Sequence, residues 1–302
     1  MKDFKGKVAV ITGAASGIGF ALSEKFATKG MKIVIADIDE KALDKAAERL
    51  SAKGAAVLPS VTDVSKADDV SELAKKTIKT YGSVHVLCNN AGVMRGGLSW
   101  EAPLEDYSWH LSVNLWGVIH GIRSFIPIMI EQDVESHVVN TSSMSGLTCT
   151  PYTAAYCLSK HAVVALSECI YHELTLSGSK IKVSVLLPTS VDTNINSSER
   201  NRPDRFKPRY SQNSNFADLV KAGATEAFKQ GLAPEVVAEQ VVKAIREERF
   251  YIFTEGGDSY RWRNVIKNRL DDLNAFRNPT FPVPEDMTSL LTSTSSENLN
   301  ST

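Results

Sequence analysis

The chain has 302 residues, 43% of them hydrophobic, with 34 basic and 35 acidic side chains for a formal net charge of −1. That apolar content excludes a disordered or fibrous chain, and the charge balance offers nothing to nucleic acid or an anionic membrane. No run of about 18 apolar residues marks a membrane span, and the start, MKDFKGKVAVITGAASGIG, lacks the apolar stretch and cleavage site of a signal peptide.

Short β-branched runs predict strands over 8–12, 32–36, 56–61, 84–88, 137–141, 182–187 and 250–253. Helical periods fall between most of them, at 17–29, 40–53, 66–81, 109–130 and 154–176. Strands that are apolar throughout and alternate with helices indicate a parallel sheet covered on both faces. Right-handed crossovers then give an α/β, doubly wound, Rossmann-like sheet. No internal repeat or dividing linker appears, so residues 1–284 read as a single domain. Within it, 189–232 is a long insertion with a helical stretch near 216–229, and insertions of this length act as lids or are disordered. The Ser-, Thr- and Asn-rich tail 285–302 is expected to be mobile.

The first strand runs into Thr12-Gly13-Ala14-Ala15-Ser16-Gly17-Ile18-Gly19 at the opening of the first helix. Glycines there allow a tight turn and close approach of backbone to a pyrophosphate at the helix N-terminus. The second strand ends in Asp37, 18 positions after Gly19. A carboxylate at that place accepts hydrogen bonds from an adenosine ribose and repels a 2′-phosphate. No Arg or Lys lies within 14–16 or directly after Asp37, so the expected cofactor is NAD and not NADP.

With these features the sequence resembles the short-chain dehydrogenase/reductase family of standard length. Thr12–Gly19 matches its TGxxxGIG turn, Asn89-Asn90-Ala91-Gly92 its NNAG element, and Asp63-Val64 its acidic adenine contact. Asn114 in SVN, Ser143 in TSSMSG and Tyr156-Cys157-Leu158-Ser159-Lys160 match its catalytic Asn, Ser and YxxxK, the last 13 residues after Ser143. The likeness covers about residues 5–255. More loosely, the MKDF start, the insertion and the RFYIF strand followed by an Arg-rich helix resemble the aryl-alcohol (Cα) dehydrogenases within that family. Two departures stand out: Pro188-Thr189 replaces the family's usual Pro-Gly, and FTEGGD replaces its frequent VDGG.

The resemblance implies an oxidoreductase moving a hydride between NAD(H) and an alcohol or ketone. Gly13, Ser16, Gly17, Ile18, Gly19, Asp37, Asp63, Val64, Asn90, Ala91, Gly92, Pro188, Val191 and Thr193 would bind the cofactor. Tyr156 and Lys160 would share in that and, with Asn114 and Ser143, form the catalytic set. Tyr156 would be the general acid/base, Ser143 would hold the substrate oxygen, Lys160 the nicotinamide ribose, and Asn114 a relay water. Tyr156 and Lys160, four apart on a predicted helix, share one face. An ammonium ~5 Å from a phenol favours the phenolate by about 3 kcal/mol at an effective dielectric of 20.

The pocket is expected beside 94–98, 147–152 and Trp100, whose apolar character suits a bulky hydrophobic secondary alcohol or ketone. The cluster Arg200, Arg202, Arg205, Lys207 and Arg209 reads as a solvated loop face, with attraction of a substrate carboxylate as the alternative. The six histidines show no HxxxH or HExxH pair, so no metal is expected. Cys88, Cys149, Cys157 and Cys169 lack ligand spacing and read as reduced structural thiols of a cytoplasmic protein. The helices over 109–130 and 154–176, apolar around much of their girth, predict a homodimer or homotetramer. The competing readings are an NADPH-dependent carbonyl reductase and a non-catalytic NAD(H) sensor on the same fold.

Overall fold

The computed structural model describes residues 1–208, 229–257 and 259–280. Its strands are β1 (Val8–Thr12), β2 (Lys32–Asp37), β3 (Val57–Val61), β4 (Val86–Asn89), β5 (Ser136–Thr141), β6 (Ile181–Leu187) and β7 (Tyr251–Phe253). They form one parallel sheet in the order β3-β2-β1-β4-β5-β6-β7. The helices are α1 (Gly17–Thr28), α2 (Glu40–Ala52), α3 (Ala67–Tyr81), α4 (Leu104–His110), α5 (Gly117–Gln132), α6 (Ala154–Leu176), α7 (Pro234–Glu247) and α8 (Ser259–Asn274). The expected doubly wound sheet is therefore present, with strand bounds within two residues of those predicted. The helical stretch expected near 216–229 and the tail 285–302 fall largely or wholly outside the described residues.

Side-chain alternation explains why both faces are covered. On β1, Ala9 and Ile11 join a core with Phe26, Leu43, Val241 and Ile245 of α1, α2 and α7. Val8 and Val10 point the other way, into a core with Leu73, Phe125, Met129 and Leu174 of α3, α5 and α6. Successive residues of a strand face opposite sides, so a continuous apolar run is satisfied only between two helical layers. Full burial of a side chain such as Phe26 or Phe125 stabilises the fold by about 1.5–3 kcal/mol. Pro59 sits on β3, the sheet edge, where its missing N–H costs no ladder bond.

The helix expected from 109 begins earlier, at Leu104, and contains one wide turn, a π segment over Leu111–Trp116. The run Leu104–Gln132 is long and apolar enough to cross a membrane by length and composition, an 18-residue window of it having mean hydropathy 1.3. Here that apolar surface packs on the sheet through Phe125, Ile126 and Met129. Two cysteines depart from the core reading: Cys88 and Cys157 are buried, whereas Cys149 and Cys169 are exposed.

A pH effect on stability arises on β5. His137 is fully enclosed with Nε2 2.7 Å from Ser184 Oγ, and burial, aided by the N-terminal ammonium and Lys182, pushes its pKa down to about 3. In the unfolded chain it protonates near pH ~6.5. Between those values the unfolded state binds more protons, so the stability is complete above the upper value and falls as pH drops toward the lower one. Relative to His137→Gln, the wild-type protein is expected to lose about 2–3 kcal/mol of stability between pH ~7.5 and ~4.5. Urea unfolding midpoints at the two pH values measure this, and equal losses in both proteins would refute it.

Candidate active site

The C-terminal ends of β1, β2, β4, β5 and β6 open into one cleft of about 350 Å³. It lies at the switch in strand order between β1 and β4, where open parallel sheets bind ligands. Its walls include Gly13, Ser16, Gly17, Ile18, Asp37, Asp63, Val64, Asn90, Ala91, Gly92, Ser143, Tyr156, Lys160, Pro188, Val191 and Thr193. Of the residues singled out by sequence, Gly19 and Asn114 do not line the cleft and support it from behind.

The turn after β1 has the shape an extended phosphate needs. Gly13 has φ 65°, and a Cβ there would stand 2.7 Å from Ala91 Cα. A Cβ on Gly19 would run into the Gly13 carbonyl oxygen and come within 2.6 Å of Asn90 Nδ2. Ser16 caps α1 in extended conformation, with no side-chain bond to the first-turn N–H groups and no acidic residue in that turn. The amide donors at the positive end of the helix thus face the cleft without a competing carboxylate. Thr12 Oγ1 accepts from the N–H of both Asn90 and Ala91, tying the NNAG segment to the turn. Asn89 Nδ2 donates to Asn140 Oδ1 (2.9 Å), whose own amide donates to Ser167 Oγ (3.0 Å), locking β4, β5 and α6 together.

Asp37 lines the cleft at the tip of β2, where its carboxylate accepts from the N–H of Ala15 (3.0 Å) and Asp39 (3.1 Å). Burial raises its pKa, against the lowering by those hydrogen bonds. Asp63 is engaged more fully: Ser65 donates to it from N–H and hydroxyl, and Arg205 reaches it at 2.5 Å. Burial alone would raise its pKa, but the bonds from Ser65 and Arg205 outweigh this and hold it below the usual carboxylate range.

At the other end lie Ser143, Tyr156 and Lys160. Ser143 follows β5 in extended conformation and its Oγ accepts from Ser145 N–H at 3.1 Å. Tyr156 and Lys160 share one face of α6, with Lys160 Nζ 5.6 Å from the Tyr156 ring centroid and donating to the Thr141 carbonyl at 2.9 Å. Asn114, wholly buried on the π segment, grips the loop after β4: its Oδ1 accepts from Val93 N–H (2.8 Å). Its Nδ2 donates to Val93 O and Ser159 Oγ, both 3.0 Å. The π turn is the local device that carries Asn114, and such single wide turns often mark functional sites.

The electrostatics differ from the sequence-based expectation. Burial pushes the Tyr156 phenol up to about 12, against the lowering effect of its hydrogen bond with Ser143. Burial also brings the Lys160 ammonium down to about 8. The expected lowering considered attraction alone, whereas burial strips both groups of water.

Three expectations about the pocket are corrected. Trp100 is 79% exposed and stands outside the cleft, as do residues 147–152; of 94–98, only Met94 lines it. Trp109, Val113, Ile195 and Trp262 supply apolar wall instead. The basic cluster is not one solvated face. Arg202 has a wholly buried side chain, 2.6 Å from Asp106 and 2.9 Å from Glu199, and its guanidinium covers the Trp109 ring at 4.7 Å. Arg95 completes the network through Asp106 (3.1 Å) and Glu199 (2.8 Å). Arg209 lies outside the described residues. At the departure from Pro-Gly, Thr189 N–H donates to Thr254 Oγ1 (3.0 Å) and the two hydroxyls meet at 3.2 Å. Thr254, in the equally divergent FTEGGD stretch, therefore takes the place of the missing glycine's freedom by fixing that loop to β7.

A doubly wound sheet with a phosphate-shaped turn and a buried Tyr–Lys pair in the same cleft defines a dinucleotide-binding oxidoreductase. The family described as short chain dehydrogenase matches residues 7–204, and the chain belongs to it. It is 35% identical over 271 residues to a 1-deoxy-11-beta-hydroxypentalenate dehydrogenase of Streptomyces avermitilis, covering 86% of this chain and 92% of that one. It is 33% identical over 254 residues to a C alpha-dehydrogenase of Sphingobium sp., covering 83% and 81% respectively, in keeping with the looser likeness seen in the sequence. A short chain dehydrogenase/reductase from Burkholderia phymatum, solved in complex with NAD, superposes with a TM-score of 0.90 at 42% identity, covering 94% of this chain and 99% of that one.

Proposed function

We propose that this oxidoreductase interconverts a bulky hydrophobic secondary alcohol and its ketone with NAD(H), using Tyr156 as general acid/base. The observation that carries the reading is that Ser143, Tyr156 and Lys160 share a single cleft with the phosphate-shaped turn and an apolar wall of Met94, Trp109, Val113 and Trp262. The N–H groups of the α1 first turn would hold the pyrophosphate, Asp37 the adenosine ribose, Asp63 and Val64 the adenine side, and Lys160, Pro188, Val191 and Thr193 the nicotinamide half. NAD supplies a hydride acceptor, and NADH the donor.

The chain's own contribution is proton handling and orientation. Ser143 Oγ, fixed by the Ser145 amide, donates to the substrate oxygen and stabilises charge that develops there. Tyr156 takes the hydroxyl proton in oxidation and returns it in reduction. Lys160, whose ammonium gives up its proton more readily than usual, passes protons onward from the phenol. Asn114, clamped on Val93, holds the relay water.

The names of two relatives, each a dehydrogenase of an organic alcohol or a Cα centre, support this substrate class. Of the described parts of 189–232, residues 189–208 and 229–232, the first lends Ile195, Ser198, Arg200 and Pro203 to the cleft wall. Exposed Trp116, Ile130, Leu158 and Leu176 on α5, α6 and the π turn support a homodimer or homotetramer, and free cysteines suit the reducing cytoplasm.

Turnover of NAD and NADP with a panel of aryl, steroid and terpenoid secondary alcohols, followed by the near-ultraviolet absorbance of the reduced nicotinamide, tests the reading. NAD is expected to be reduced and NADP not. Asp37→Ser is expected to weaken NAD about tenfold, the loss of a charge-assisted hydrogen bond, and to admit NADP. Equal use of both cofactors by the wild-type enzyme would favour the carbonyl-reductase reading.

A further inference from the structure

Arg200 stands at the mouth of the cleft, in a 3-10 segment over Asn194–Asn201. Its Nη1 donates to the carbonyls of Asn194 (3.0 Å) and Ser197 (2.8 Å), which fixes the guanidinium against its own segment. The basic residues around it are neutralised. Arg202 meets Asp106 and Glu199, Arg205 meets Asp63, Lys207 meets Asp204, and Arg95 meets Asp106 and Glu199. Among the described residues Arg200 has no carboxylate partner. Of the described residues that line the cleft, it and Lys160 are the cations, and Lys160 is enclosed beside Tyr156.

The same cleft carries apolar Met94, Trp109, Val113, Ile195 and Trp262, together with polar Asn194, Ser198 and Asn201 from the segment that bears Arg200. A molecule on this apolar surface, with its alcohol at Ser143 and Tyr156, shares one cleft with the Arg200 guanidinium. A guanidinium held by one nitrogen on backbone carbonyls keeps donors for a second group, and planar two-oxygen anions match that fork. We infer that the substrate is a hydrophobic hydroxy acid or oxo acid, whose carboxylate is recognised by Arg200 while its alcohol or ketone sits at Tyr156. The inference rests on the proposed dehydrogenase reading and adds to it the second functional group of the substrate.

This arrangement makes Arg200 a residue of substrate choice. Its position at the mouth, partly in water, limits the gain, since exposed ion pairs are weak and screened by salt. A preference of about five- to tenfold for a carboxylate over a neutral isostere is expected.

The test uses the NAD-loaded enzyme and reads the fluorescence of Trp109 and Trp262, which line the cleft. It is titrated with aryl and alicyclic carboxylates and with the matching primary amides. The wild-type enzyme should bind each carboxylate about five- to tenfold more tightly than its amide, and the margin should shrink as salt is raised. Arg200→Gln should abolish the preference, and Arg200→Lys should keep part of it. No carboxylate preference in the wild-type enzyme, or one that survives Arg200→Gln, overturns the inference. So does a comparable loss of NADH affinity in Arg200→Gln, which would assign the guanidinium to the cofactor. Turnover of neutral secondary alcohols by the wild-type enzyme is measured in parallel, so failure of the dehydrogenase reading shows separately from failure of the Arg200 assignment.

Discussion

Replacing Tyr156 by Phe is expected to lower kcat for alcohol oxidation by about 10²–10⁴-fold, the usual contribution of one positioned acid–base group. The substitution removes one oxygen from a ring that is 7% exposed and packs edge-on against His110 at 6.4 Å between centroids. The ring therefore stays in place, and NADH binding should persist. His110 helps to hold it there. Its Nε2 accepts the Arg95 N–H at 2.9 Å and its Nδ1 meets the Asp106 carbonyl at 2.7 Å, so both ring nitrogens are satisfied in the neutral form. Burial lowers the His110 pKa, in agreement with that assignment. Turnover against NADH affinity is the deciding pair of measurements. Undiminished turnover in Tyr156→Phe would remove the catalytic assignment, whereas loss of turnover with intact NADH binding would also dispose of the non-catalytic sensor.

The second large effect concerns the phosphate turn. Gly13→Val should raise the Kd for NADH by about 10–100-fold, equivalent to losing one charge-assisted hydrogen bond. A branched residue at φ 65° is strained by about 1–3 kcal/mol, and its Cβ would press on Ala91 Cα at 2.7 Å. The turn must open, carrying the amides of α1 away from the pyrophosphate. Thermal unfolding followed by circular dichroism distinguishes a displaced turn from a lost fold. Retained NADH affinity in a folded Gly13→Val protein would mean that the cofactor is held elsewhere.

Features carried by local chemistry were legible before any coordinates. The glycine turn, Asp37 and the Tyr156–Lys160 pair each depend on spacing within one or two elements, and they meet in the cleft through Gly13, Ser16, Gly17, Ile18, Asp37, Tyr156 and Lys160. What sequence missed depends on groups brought together from afar. Arg202 reads as a solvated loop residue because Asp106 and Arg95 lie about a hundred positions away, and only folding sets their carboxylate and guanidinium around it. The π turn leaves no mark in LSVNLW, since its wider hydrogen-bonding step needs no special residue, yet it carries Asn114. Trp100, the most apolar side chain of its segment, attracts a pocket assignment on chemistry alone, but the turn before α4 leaves it on the surface. The raising of the Tyr156 pKa escapes the sequence because pairwise attraction can be read from spacing and desolvation cannot.

The buried Arg202 network has a consequence for anyone who redesigns this enzyme. Residues 194–203 lend Asn194, Ile195, Ser198, Arg200, Asn201 and Pro203 to the cleft wall, and the run 194–206 is held to the body by Asp63, Arg95 and Asp106, which belong to other segments. Grafting another enzyme's loop over 194–206 without its matching partners strands a charge in the interior, which costs about 3–5 kcal/mol. The heritable unit of specificity is therefore discontinuous: 194–206 travels together with positions 63, 95 and 106, and a chimera that respects this grouping should fold where a simple loop exchange fails.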